Sequence, residues 1–79
     1  MRILVVEDER KIAGFIRQGL EEHGFDVDAS ANGNEAYALA TSRPYDAIVL
    51  DIMLPGRDGL SILRGLREKK NAVPVILLT

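Results

Sequence analysis

Three carboxylates stand where apolar runs end. Ile3-Leu4-Val5-Val6 runs into Glu7-Asp8, and Ala47-Ile48-Val49-Leu50 runs into Asp51. A run that is apolar at every position suits a strand covered on both faces, as in a parallel sheet. An acid closing such a strand lies at the sheet edge where ligands bind in open α/β folds. If the two strands are neighbours, three carboxylates meet. Unbalanced, they repel one another and raise at least one pKa. A divalent cation removes the conflict, and an all-oxygen donor set without His or Cys favours Mg²⁺ or Mn²⁺ over Zn²⁺. Mg²⁺ characteristically takes one or two carboxylates with waters and leaves positions for phosphate oxygens. That is phosphoryl-transfer chemistry. A carboxylate can itself accept the phosphoryl group. Asp51, the lone acid closing its strand, is the candidate acceptor. Thr79, after a further apolar run, could donate its hydroxyl to a phosphate oxygen. Gly56 and Gly59 let the loop after Asp51 turn back toward the site.

The rest of the chain reads as the frame for these groups. Residues 2–6 predict a strand. From Asp8 or Glu9 to His23, Ile12, Phe15, Ile16 and Leu20 recur at helical spacing, with Gly24 as the stop. Phe25 to Ser30 alternates apolar and polar, which predicts a half-exposed edge strand. Asn32-Gly33-Asn34 is turn and cap chemistry before a helix from Glu35 to Ser42, stopped by Arg43-Pro44. Residues 46–51 predict a strand. Asp58 caps a helix from Gly59 to about Lys70, with Leu60, Leu63 and Leu66 on one face and Ile62 beside it; Asn71 terminates it. Residues 75–79 predict a fourth strand. The order β-α-β-α-β-α-β implies a parallel sheet with right-handed crossovers. Glu7, Asp8 and Asp51 meet only if strands one and three are adjacent, as in the flavodoxin-like order 2-1-3-4.

Composition narrows the classes. The 79 residues, 47% hydrophobic and 28% charged, suit one small globular domain, not disorder. A net charge of -2 makes no electrostatic case for direct nucleic-acid binding. Without cysteine there is neither a disulfide framework nor a thiolate metal site. The longest apolar run, Ala72 to Leu78, contains Pro74 and is too short to span a membrane. No signal peptide precedes the first acids. The expectation is a soluble, cytoplasmic domain.

Taken together, Ile3-Leu4-Val5-Val6-Glu7-Asp8-Glu9, Asp46 to Asp51, Met53-Leu54-Pro55-Gly56-Arg57-Asp58-Gly59 and Pro74-Val75-Ile76-Leu77-Leu78-Thr79 closely resemble the receiver domain of two-component response regulators. The likeness is to the OmpR/PhoB type, whose members carry a DNA-binding domain. The resemblance implies Asp51 as phosphoacceptor, Asp8 as a direct Mg²⁺ ligand and Glu7 as a ligand through metal-bound water. It also implies the Met53 backbone carbonyl as a ligand and Thr79 as the switch hydroxyl. A sensor histidine kinase would be the donor. The family places a lysine at the end of a fifth strand, and Lys69 and Lys70, in a helix terminus, do not replace it. Residues 1–79 are therefore expected to be a partial receiver domain, truncated before the fifth strand, with the DNA-binding domain absent.

Plainer readings stand beside these. Glu7 and Asp8 alone read as helix-start acids. His23 reads as a helix C-terminal residue, and Tyr37 and Tyr45 as packing residues. Arg64, Arg67, Lys69 and Lys70 read as a solvated helix end. Other functional classes are a non-signalling fragment that associates into a homodimer or higher oligomer through its open strand edge, and an aspartyl-phosphate-forming phosphatase. The phosphatase typically needs an acid where Met53 stands.

Overall fold

The computed structural model describes all 79 residues. The strands are β1 (Arg2–Val6), β2 (Asp26–Ser30), β3 (Ala47–Asp51) and β4 (Val75–Leu78), and the helices are α1 (Arg10–Glu22), α2 (Gly33–Ser42) and α3 (Gly59–Glu68). All strand pairs are parallel, in the order β2-β1-β3-β4. This is the flavodoxin-like arrangement expected. Val6 pairs with Leu50, so Glu7 and Asp51 leave adjacent strands at the same level.

The sheet has two unequal faces. On one, Leu4, Val6, Ile48 and Leu50 join Ala36 and Ala40 of α2 and Ile62 and Leu66 of α3 in a closed core. On the other, Ile3, Val5, Val27 and Val49 meet only α1, through Ile16 and Leu20. A helix is roughly 10 Å across, about the width of two strands. Helix α1 lies over β1 and β2. The β4 side of that face is left open, with Ile76 58% exposed.

This geometry corrects the helical faces. Of the four apolar positions expected on α1, Ile16 and Leu20 pack while Ile12 and Phe15 are exposed; no residue of α1 is fully buried. In α3 the buried side is Gly59, Ile62, Gly65 and Leu66, and Leu60 faces solvent. Its spacing follows from contact with both α2 and the sheet, not from the leucine repeat.

The ends obey local chemistry. Asn32 Oδ1 accepts the amides of Asn34 (2.8 Å) and Glu35 (3.3 Å), which starts α2 at Gly33, two residues before the expected Glu35. Asp58 Oδ1 accepts the Ser61 amide at 2.8 Å, as expected of a cap. Helix α1 begins at Arg10, after its acids, and closes with Gly24 at φ +86°. Its terminal amides bond back, Gly24 to Glu21 O and Phe25 to Leu20 O. Helix α3 closes by the same pair, Lys70 to Arg67 O and Asn71 to Leu66 O, with Lys70 at φ +59°. Lys70 thus takes the left-handed position one residue before the expected terminator, Asn71.

Candidate functional site

Strands β1, β3 and β4 end around one groove of about 740 Å³, lined by Glu7, Asp8, Glu9, Ile12, Ile16, Asp51, Ile52, Met53, Leu78 and Thr79. Every residue expected in the site lies on it. Carboxylate oxygens of Glu7, Asp8 and Asp51 fall within 4.8 Å of one another. Glu7 is buried at 6% exposure, Asp51 is half-buried and Asp8 is exposed. Thr79 follows the last residue of β4 and is exposed.

The loop leaving Asp51 is tied at its neck. The Met53 amide donates to Asp51 Oδ1 at 3.2 Å, the Ile52 amide to Leu78 O at 3.2 Å, and the Gly59 amide to Ile52 O at 2.8 Å. The Met53 side chain is 80% exposed, and Met53 touches the acids through its backbone amide. Glu7 is fixed from the other side, where the Glu9 amide donates to Glu7 Oε1 at 3.1 Å.

No salt bridge balances this cluster; the acids that do pair with arginines are Asp28 and Glu21. Burial pushes the Glu7 carboxyl above its ordinary range, and the neighbouring Asp51 charge adds to that, while the Glu9 amide pulls the other way. The donor set fits a hard divalent cation. It is all oxygen, it converges, and its like charges have only backbone amides to balance them. The arrangement can bind a divalent cation and offer one carboxylate oxygen to an electrophile.

Two contributors escaped sequence reasoning. Glu9 acts through its amide, which every residue but proline carries, so no sequence signal marks it. Arg57 lies half-buried with its guanidinium 3.8 Å from the centroid of the Tyr37 ring, a pairing that only the packing of α2 against the loop creates. Tyr37 packs on the core as expected. Tyr45 does more, donating its hydroxyl to Asp28 Oδ2 at 2.7 Å. His23 Nδ1 lies 2.9 Å from Gly19 O at the end of α1.

Comparison with known proteins gives a consistent picture. Residues 3–79 match the profile of the response regulator receiver domain. The chain is 47% identical over its full length to the transcriptional regulatory protein CusR of Escherichia coli strain K12, covering 35% of that protein. It thus spans about a third of the length of such curated relatives. The response regulator TrrA of Thermotoga maritima, solved in complex with Mg²⁺-BeF, superposes with a TM-score of 0.92 at 42% identity, over 99% of this chain and 68% of that one. A second structure, of the histidine kinase ThkA in complex with TrrA, matches with a TM-score of 0.89 at 42% identity, over 99% of this chain and 67% of that one. No helix is long and apolar enough to cross a membrane.

Proposed function

The chain belongs to the response regulator receiver domain family, and we propose that it accepts a phosphoryl group on Asp51 in an Mg²⁺-dependent phosphorelay. The observation that carries this reading is the convergence of Glu7, Asp8 and Asp51 within 4.8 Å at the ends of adjacent strands. Asp8 and Asp51 would hold Mg²⁺ (or Mn²⁺) with the Met53 carbonyl, and Glu7 would act through a bound water. Bound there, the cation would offset the charge of the phosphoryl oxygens.

The protein's own groups carry the transfer. An Asp51 carboxylate oxygen attacks phosphorus in line. The phosphorus–nitrogen bond of a phosphohistidine breaks, and the imidazole nitrogen keeps the electron pair and takes up a proton. The Met53 amide on Asp51 Oδ1 orients the carboxylate. The Thr79 hydroxyl, on the same groove, then donates to a phosphoryl oxygen and serves as the switch. The role is that of a regulatory acceptor, with autodephosphorylation its only turnover. A sensor histidine kinase is the donor, which the ThkA–TrrA complex supports. We take residues 1–79 as part of a receiver domain. In a protein of CusR's length, further residues would form the DNA-binding output. Such a regulator would act in the cytoplasm.

Incubation with Mg²⁺ and acetyl phosphate tests this by mass spectrometry. The wild type should gain one phosphoryl group and Asp51→Asn none. An adduct that persists in the variant would overturn the assignment.

A second reading, self-association of the 79-residue chain, is favoured by the outer edge of β4, which pairs with no further strand, and by exposed Ile76 on β4 and Phe15 on α1. Light scattering across a concentration series should show dimers or larger species. A monomer at every concentration would exclude it.

A further inference from the structure

The loop between Asp51 and Gly59 bears the Met53 carbonyl, and its far side is seated on two helices. At its tip, the Gly33 amide, the first of α2, donates to Pro55 O at 2.9 Å. The approach is so close that a Cβ on Gly33 would overlap Arg57 O. Arg57 then reaches back over α2 and α3. Its Nε donates to Ser61 Oγ at 3.0 Å and its Nη2 to Ser61 O at 3.2 Å, while the guanidinium carbon stacks 3.8 Å from the Tyr37 centroid. Gly65 leaves the gap that this stack fills, since a Cβ there would lie 2.5 Å from Arg57 Nη2 and 2.9 Å from a Tyr37 ring carbon.

Arg57 is half-buried and has no carboxylate partner. A guanidinium in that position is held by the ring face and neutral acceptors alone, so the Tyr37 π-system is its main charge partner. The loop is therefore held at its neck by Ile52 and Gly59 and at its far end by this stack. The Met53 carbonyl lies between the two.

We propose that the Arg57–Tyr37 stack is a positioning device that sets the loop carbonyl for the divalent cation, so that metal affinity depends on a ring with no contact to the metal groove. This rests on the reading of the site given above. Groups hydrogen-bonded to metal ligands commonly change affinity tenfold or more when removed, and this stack acts on the ligand one step further out, through the loop backbone.

Calorimetric titration of Mn²⁺ alone into the chain tests it, paired with urea unfolding of each variant. Tyr37→Leu, which keeps an apolar side chain and removes the ring, should raise the Mn²⁺ dissociation constant by roughly tenfold. Tyr37→Phe should restore wild-type affinity, because the Tyr37 ring is what meets the guanidinium. Arg57→Gln, which retains a donor for Ser61, should behave like Tyr37→Leu and decides the matter if the latter does not fold. Lower stability with unchanged Mn²⁺ affinity in Tyr37→Leu and Arg57→Gln would overturn the proposal, as it would leave the stack a purely structural contact. Asp8→Asn separates the two levels. If it binds Mn²⁺ like the wild type, or if the wild type does not bind, the reading of the site fails and the positioning role falls with it.

Discussion

Asp28 on β2 and Glu7 after β1 are both acids on the same sheet, and their surroundings are opposite. Asp28 collects the Tyr45 hydroxyl at 2.7 Å, Arg43 at 3.3 Å and Arg2 at 3.4 Å. The Tyr45 hydrogen bond leads in holding its carboxyl below the ordinary value of about 3.8, with the arginine charges adding to it. Glu7 is more deeply buried and meets Asp51 and Asp8 with no cation, and its carboxyl is raised. The fold therefore neutralises one acid with its own side chains and leaves the other cluster in deficit. The first arrangement ties β1, β2 and the α2–β3 connection together. The second is stable only to the extent that the rest of the core offsets it, and a bound cation is the direct way to balance it.

The largest expected effect breaks the comparison by supplying the missing charge. Mg²⁺ at about a hundred times its dissociation constant should stabilise the wild type by about 2.7 kcal/mol. Asp8→Asn should gain far less. Equal shifts in urea midpoint for the two proteins would mean that the cation acts elsewhere.

Removing the balanced acid comes next. Asp28→Asn should cost about 2 kcal/mol at pH 7, since it removes charge-assisted bonds to two arginines and a phenol. The sign with pH follows from the lowered carboxyl. Its stabilisation is present above the unfolded value of about 3.8 and is lost as pH falls through the still lower folded value. The gap between wild type and variant in urea unfolding should therefore narrow from pH 7 toward strongly acidic pH. A gap that is constant with pH would show that the charge of Asp28 is irrelevant.

The smallest effect has the opposite sign. Glu7→Gln removes a buried like charge while keeping an acceptor for the Glu9 amide, and should stabilise the metal-free chain by about 1 kcal/mol at pH 7. Repeated with excess Mg²⁺, the variant should lose that advantage. A Glu7→Gln protein that is less stable than wild type without metal would contradict the idea of a cluster in deficit.

Much of this was legible in the residues. Val6-Glu7-Asp8 and Leu50-Asp51 announced buried strands ending in acids, because apolar runs of that length and composition have few other uses. Asn32 and Asp58 announced their helices, because capping depends on chemistry within three residues. The helix faces were less legible. Phe15 and Leu60 fit helical spacing as well as the neighbours that pack against the sheet do, and which side is covered depends on what packs there. The pairing of Tyr45 with Asp28 and of Arg57 with Tyr37 joins residues about twenty positions apart across different elements, with no local pattern to mark it.

The sequence by itself determined the element types, the parallel sheet and the identity of the acids, because these follow from periodicity, capping and donor chemistry close along the chain. Only the tertiary structure decided which acids are balanced. That depends on the adjacency of β1 and β3, which brings Glu7, Asp8 and Asp51 together, and on the placing of Arg2, Arg43 and Tyr45 around Asp28. Electrostatic balance is set by distances through space, and those exist only once the chain has folded.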